Sequence, residues 1–402
     1  MPEPAAQDEA GGLIDAIRRR RNEFEAAGEA AEGLRTLPDD TVTTLRELGL
    51  FWLKTPAELG GTPISPVSFC AVIEELASID VSTAWAAMIG AGCNGLAGGW
   101  LPEAGARELF SADQPLPVVA GQLSPRGTGT PVDGGYLVTG RWGFSSGILH
   151  ADWLIGAFGM AGPPHTDPGD GEAAGETGFG QMIVFAVPKS AVRVIDTWHV
   201  AGLQGTGSLD WAVSDLFVPA SRTYELGIPA VRGGNLFRLG MPAFVSNEVP
   251  PLAVGLARRA LEDMTELATR TARFPGGPTV SERAVFHKEL GRAEVRLQAA
   301  RLVHRDAMAA CWASASSGVA PSAQQQLAVT SASVFTVETC AEIVVDLFRY
   351  GGGRVLALSS PMQRYLRDIL AARQHLALSE EHYEAAGRYR IESAAAKDAP
   401  MR

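Results

Sequence analysis

Cysteine is scarce in this 402-residue chain: Cys70, Cys93, Cys311 and Cys340 lie far apart and form no CxxC pair. That spacing excludes a disulfide framework and a thioredoxin-type redox pair, and it fits reduced core thiols in a cytoplasmic protein. Histidine and cysteine nowhere take metal-ligand spacing, so no metal site is expected. Basic charge is also short. Lys and Arg number 34 against 45 Asp and Glu, a formal net charge of −11, which argues against nucleic acid or an anionic membrane as the main partner. No uninterrupted apolar run approaches membrane-spanning length. Met1 to Gly12 is polar and acidic, and Arg18 to Arg21 follow it without an apolar core, so no signal peptide is expected.

The usual nucleotide signatures are missing too. No GxxxxGK[ST] occurs. Gly205-Thr206-Gly207 lacks the third glycine of a dinucleotide fingerprint and leads into a β-type run. Gly351-Gly352-Gly353 follows a helical pattern and reads as a helix C-cap and turn. A nucleotide-like cofactor, if bound, is bound without a Rossmann domain.

What is present is a change of texture along the chain. At 46% hydrophobic and 20% charged residues, the composition is that of an ordinary globular protein, long enough for two or three domains. Leu13, Ile17 and Phe24 share one helical face; Val42, Leu45 and Leu48 repeat the spacing. Glu58-Leu59-Gly60-Gly61-Thr62-Pro63 reads as a loop. Phe69, Val72, Ile73 and Leu76 resume a helix, and Ser82-Thr83 can cap another from about Ala84 to Ala91. From about residue 116 to Pro219 come short β runs punctuated by Gly and Pro. Helical periodicity then returns, with Leu290, Ala293, Leu297 and Ala300 on one long helix and Val337, Cys340, Ile343 and Leu347 on another. The expected domains are therefore helical at 1–115, β at 116–222 and helical at 223–402. Residues 161–180, rich in Gly, Pro and acid, read as a solvated hairpin loop.

Two β stretches are the most distinctive: Gly134-Gly135-Tyr136-Leu137-Val138-Thr139-Gly140-Arg141-Trp142-Gly143-Phe144-Ser145-Ser146-Gly147, and Arg193 to Pro219 with Trp198-His199 and its glycine-punctuated turn. They are flanked by Ile73 to Trp85 on one side and by Phe348-Arg349-Tyr350-Gly351-Gly352-Gly353 through Arg367-Asp368 on the other. In this order the four pieces resemble the acyl-CoA dehydrogenase family, and more narrowly its flavin-dependent monooxygenase branch. The resemblance implies an N-terminal helical domain, a central β-barrel domain and a C-terminal four-helix bundle. It implies a reduced flavin, FADH2 or FMNH2, and O2, with one oxygen passing to an organic substrate through a flavin C4a-hydroperoxide. Because the chain shows no NAD(P)H site, a separate NAD(P)H-flavin reductase is the expected partner, and a homotetramer the expected assembly.

The resemblance also distributes roles. Trp142, Phe144, Ser145 and Ser146 match the flavin-facing stretch, where an aromatic ring packs on isoalloxazine and hydroxyls reach its polar edge. Trp198, Thr206 and Ser208 are cofactor candidates, with a plain structural turn as the alternative. Arg273 and Arg283 resemble the arginines that reach a neighbouring subunit's flavin phosphates. Gly352, Gly353, Gln363 and Arg367 fall in the glycine loop and Arg-Asp helix near the flavin. A dehydrogenase of this family commonly carries a Tyr-Glu-Gly-Thr motif after the Arg-Asp pair, its Glu acting as base; here that place is Leu376. His375, beside it, is the expected acid–base or hydrogen-bonding group. Ser146 and Asn94 are expected to position oxidant and substrate, Asn94 standing in a region where some relatives use a histidine. Two rivals remain open: an acyl-CoA dehydrogenase, and a nitrogen-oxidising oxygenase of an amine or amino sugar.

Overall fold

The computed structural model describes residues 4–160, 182–272, 274 and 276–398. The 161–180 hairpin loop and Arg273 lie outside the described residues. Helices come first: α1 (Pro4–Arg19), α2 (Arg21–Leu34), α3 (Asp39–Glu47), α4 (Pro66–Ala77), α5 (Val81–Trp100) and α6 (Glu103–Leu109). Strands follow: β1 (Val119–Val132), β2 (Gly135–Ser145), β3 (Trp153–Met160), β4 (Met182–Pro188), β5 (Arg193–Ile195), β6 (Leu209–Pro219) and β7 (Thr223–Glu225). The chain returns to helix with α7 (Asn235–Arg238), α8 (Met241–Val245), α9 (Val249–Arg270), α10 (Ala284–Ser316), α11 (Ala323–Phe348), α12 (Pro361–Ala372) and α13 (Glu381–Asp398).

Local chemistry explains the boundaries that matter for the site. Ser65 caps α4 by accepting the Ser68 N–H at 3.1 Å, with Pro66 in the first turn. The helix expected at Ala84–Ala91 is longer. It starts at Val81 under Asp80, whose carboxylate accepts the Thr83 N–H at 2.7 Å, and it continues to Trp100. Its glycines do not stop it because they are contact points. A Cβ at Gly92 would stand 2.5 Å from Glu248 Oε1, and one at Gly95 would stand 2.8 Å from the Phe244 ring. Close packing here outweighs poor helix propensity.

The strands form one sheet in the order β5-β6-β2-β1-β3-β4-β7, with β1 and β3 parallel and the other neighbours antiparallel. This corrects the expected barrel. Closure needs the two edge strands to hydrogen-bond each other, whereas β5 pairs with β6 and β7 with β4. The result is an open mixed sheet. Trp142, Phe158, Phe185 and Trp211 form its inner core. A second core joins α5, α6, α8 and α10 to β3 and β4. The largest runs through α4, α5, α9, α11 and α12.

The two long helices expected from periodicity are α10 and α11. Val337, Cys340, Ile343 and Leu347 of α11 are all buried. By length and composition α11 is apolar enough to cross a membrane, but 67% of its most apolar window is buried inside the protein, as in a core helix. All four cysteines are buried and free.

One buried ion pair ties the N-terminal helices to the start of α9. Lys54 Nζ lies 2.7 Å from Glu248 Oε1, donates to the Phe244 carbonyl at 2.8 Å, and sits over the rings of Phe69 and Phe244. Burial pushes the lysine pKa down and the glutamate pKa up, each opposed by its partner. Removing one partner strands the other in the core. Lys54→Ala is expected to cost about 3–5 kcal/mol in urea unfolding, while the volume-matched pair Lys54→Met/Glu248→Leu recovers most of that loss.

Candidate active site

The site begins at an irregularity in β2. Trp142 pairs with Trp211 and Ser145 with Leu209, so three steps on β2 match two on β6. The extra residue is a β-bulge at Gly143-Phe144, and Phe144 takes a left-handed φ of 58°. The bulge sorts the expected flavin-facing residues. Trp142 is 0% exposed, stacks on Trp211 at 4.4 Å, and spends its N–H on the Ala157 carbonyl at 2.8 Å. Ser145 is equally buried and accepts the Trp211 indole N–H at 2.9 Å. Neither residue has an exposed face in this structure, and both support the sheet from inside. Phe144 is 74% exposed and meets Trp198 edge-to-face at 6.1 Å. The aromatic surface on offer is Phe144 flanked by half-buried Trp198.

Behind that pair runs a chain of hydroxyls. Trp85 Nε1 donates to Ser146 Oγ at 2.9 Å; Ser146 and Ser208 hydroxyls lie 2.7 Å apart; Ser208 and Thr206 hydroxyls lie 2.6 Å apart; Thr206 Oγ1 donates to the Leu203 carbonyl at 2.8 Å. Thr206 is 0% exposed, Ser208 is buried, and Ser146 keeps 6% of its surface. Thr206 and Ser208, expected at the cofactor, spend their hydroxyls within this chain of contacts.

Leu203 is the far anchor. It holds a left-handed φ of 54°. Its N–H donates to Asp368 Oδ1 at 2.6 Å, and its carbonyl also accepts Trp198 Nε1 at 3.1 Å. Burial raises the Asp368 pKa to about 7. Its neighbour Arg367 donates to Gln363 Oε1 at 2.7 Å, to the Ala201 carbonyl, and to Glu32 Oε1 at 2.7 Å. Gln363 in turn donates to the carbonyls of Leu358 and Ser360. Arg367 and Gln363 clamp α12 to the 198–203 turn and to α2, with three of the five guanidinium N–H groups engaged within the chain. Gly352 and Gly353 lie in an exposed 3₁₀ turn, Gly352 at φ 63°, with no heavy atom within 4 Å of a Cβ built at either.

His375 follows α12. Its ring meets the Trp85 ring in a T-shaped contact at 5.7 Å. Its Nδ1 accepts the Ala377 N–H at 3.3 Å, which assigns the proton of the neutral ring to Nε2. Desolvation lowers its pKa to about 4. The residue is mostly buried, and no carboxylate offsets the loss of water. His375 near neutrality is a neutral N–H donor. Two of the expected catalytic residues, His375 and Ser146, therefore both contact Trp85. Asn94 does not join them. It is nine residues further along α5, roughly 13 Å along the axis and half a turn around. There it donates to the carbonyls of Phe51 and Gly90, leaving its own Oδ1 without a partner.

Sequence reasoning missed Trp85 and Leu203 as organisers and gave Asp368 no separate task. Trp85 closes the helical stretch that carried the resemblance, yet nothing in the sequence says that Ser146 and His375 converge on it. His150, partly buried with its pKa lowered to about 4, and exposed His199 beside Arg35 and Asp196 stand apart from this group. Among the described residues no cluster of three or more metal-ligating side chains occurs.

A reduced isoalloxazine has flat apolar faces and N–H donors along its polar edge. The exposed ring of Phe144, the flank of Trp198 and the remaining lone pair of the Ser146 hydroxyl fit that pattern.

The family model for the acyl-CoA dehydrogenase N-terminal domain matches residues 14–105, and that for the C-terminal domain matches residues 250–380. The chain belongs to the acyl-CoA dehydrogenase family. It is 29% identical over 383 residues to indole-3-acetate monooxygenase of Acinetobacter baumannii, covering 95% of this chain and 94% of that protein. It is 28% identical over 396 residues to the flavin-dependent monooxygenase oxygenase subunit HsaA of Mycobacterium tuberculosis, covering 93% and 94%. Among solved structures it resembles XiaF from Streptomyces sp. in complex with FADH2 and glycerol: TM-score 0.86, 26% identity, 96% and 97% coverage. Within the family, then, the chain is a flavin-dependent monooxygenase, of the kind that acts as the oxygenase component of a two-component system.

The Asp368 carboxyl yields a pH prediction. Its folded pKa of about 7 stands above the ordinary carboxyl value. Between about pH 4 and pH 7 the folded state holds a proton that the unfolded state releases, so this group's contribution to stability falls as pH rises and levels off above 7. Asp368→Asn keeps an acceptor for the Leu203 N–H and removes the titration. In urea unfolding from pH 5 to 8, the mutant is expected to gain on the wild type steadily up to about pH 7. A constant difference would show that the carboxyl does not titrate there.

Proposed function

We propose that this protein uses reduced flavin and O2 to place one oxygen atom on an aromatic substrate. The observation that carries the reading is the meeting of Ser146 and His375 on Trp85, beside the exposed Phe144 and its partner Trp198. Bound reduced flavin supplies the electrons that activate O2. Phe144 and Trp198 offer the apolar wall for the flavin ring, and Ser146 an oxygen for its polar edge. His375 holds a proton at Nε2 and can donate it, as a hydrogen bond, to oxygen on the substrate or on the oxidant. Where dehydrogenases of this fold commonly carry their carboxylate base, Leu376 offers only an alkyl chain, which favours oxygenation over α-proton abstraction.

FADH2 is preferred to FMNH2, following the cofactor bound in XiaF, and a separate NAD(P)H-flavin reductase supplies it. The three domains divide at about residues 115 and 222, with α9 to α12 as the four-helix bundle. Val295 and Leu302 on α10, Phe335 and Val345 on α11, and Leu370 on α12 are exposed apolar side chains, suited to burial in a homotetramer. Arg273, Arg283, Gly352 and Gly353 are assigned to a neighbouring subunit's cofactor. Four buried free thiols fit a cytoplasmic protein.

Rapid mixing of the protein–reduced flavin complex with O2 and a phenol or indole tests the activity. Oxygenated product in a single turnover is expected. Formation of hydrogen peroxide alone with every aromatic tried would overturn the substrate class. His375→Ala is expected to slow oxygen transfer by about 10²–10³-fold with flavin binding retained, the usual loss for one donor aimed at a developing charge. His375→Gln, which keeps an N–H, should recover part of that rate. Sedimentation at micromolar concentration is expected to give a tetramer; a flavin-binding monomer would remove the subunit-shared site.

A further inference from the structure

The hydroxyl chain has fixed ends. An indole nitrogen only donates and a peptide carbonyl only accepts. Trp85 Nε1 therefore donates into Ser146, and Thr206 donates into Leu203. Satisfying both contacts in between leaves one arrangement: Ser146 donates to Ser208, and Ser208 donates to Thr206. Every hydroxyl proton then points toward Leu203. At Ser146, the most exposed of the three hydroxyl residues at 6% against 3% for Ser208 and 0% for Thr206, the position left over on the oxygen is a lone pair and not a hydrogen.

We propose that this polarised relay selects the redox state of the flavin, and that Thr206 is the specificity-determining residue although it is wholly buried. The inference rests on the flavin site proposed above and deepens it. Reduced flavin carries N–H on its central ring where oxidised flavin presents a bare nitrogen acceptor. Ser146 accepts from the first without any change. To donate to the second it must take a proton from Ser208, which must take one from Thr206, and Thr206 then abandons Leu203. Oxidised flavin costs one internal hydrogen bond and leaves two oxygens facing each other across 2.8 Å. Reduced flavin costs neither.

Thr206→Val breaks the relay at its anchor while keeping shape. The Ser208 proton then has only Ser146 to go to, and Ser146 is free to donate outward. Ser208→Ala frees the Ser146 proton directly. Thr206→Ser preserves the anchor. The measurement is the pair of dissociation constants for FAD and for FADH2 under anaerobic conditions, with folding checked by circular dichroism. The wild type is expected to bind FADH2 more tightly, and Thr206→Ser to keep that ratio within about twofold. Thr206→Val and Ser208→Ala are expected to shrink the ratio by about tenfold, the worth of one hydrogen bond, chiefly by tightening FAD. A preference unchanged in both folded variants, or absent from the wild type, overturns the relay as selector. A wild type that binds neither form would instead overturn the flavin site itself.

Discussion

The peptide of Leu203 is the constraint on which the rest of the site depends. A leucine at φ 54° sits where side chains other than glycine pay on the order of 1 kcal/mol or more. It stays there because both sides of the residue are over-determined. Asp368 of α12 holds the N–H, while the carbonyl gathers the Thr206 N–H, the Thr206 hydroxyl and the Trp198 indole. The next step back is equally tight: a Cβ at Gly202 would come within 2.1 Å of the Arg367 carbonyl. One residue thereby joins the last helices to the turn before β6. Through the hydroxyls it also reaches β2 and the first turn of α5.

The groups around this node share an electrical property. Trp85, Ser146, Ser208, Thr206 and Trp198 carry no charge. Burial brings the Asp368 pKa to about 7, and desolvation keeps His375 neutral with a pKa of about 4. The full charges nearby are turned on one another, as with Arg367 and Glu32, or Arg35 and Asp196. A flat, uncharged ring can therefore enter without stripping water from an ion, which is the dominant cost of binding where charges line a cavity. The same lack of ions limits the ways in which a stray proton could be delivered to the oxidant.

Much of this was legible in the chain. The spacing of Val337, Cys340, Ile343 and Leu347 marks α11 because a buried helix face repeats at i+3 and i+4. The β stretches around Trp142 and Trp198 identified the family, and Ser146 and His375 were singled out as catalytic candidates. What could not be read was set by contacts between distant segments. The glycines of α5 look like breakers until Glu248 and Phe244 are placed against them. The barrel failed because edge pairing is a property of the whole sheet, not of any strand. Arg367 and Gln363 have the chemistry of ligands, but only the fold shows that Glu32 and the Ala201 carbonyl already hold them. Trp142 and Phe144, expected to share one face, change to opposite ones for a similar reason: one is inside and the other outside, and alternation alone mis-sorts them.

That last exchange has a consequence for the chain's tolerance of change. In an unbroken strand, residues three apart face opposite sides, yet Trp142 and Ser145 both point inward. The bulge acts as a phase marker: everything after Gly143-Phe144 is read in the opposite parity to everything before it. Deleting Gly143 would restore two-against-two pairing with β6 and leave Ser145 inward and Phe144 outward, but it would erase the bend and the left-handed φ of 58° that set the angle of Phe144. The residue count thus sets the bend that presents Phe144, and libraries aimed at new substrates would do best to vary Phe144 while keeping the count from Trp142 to Gly147 untouched.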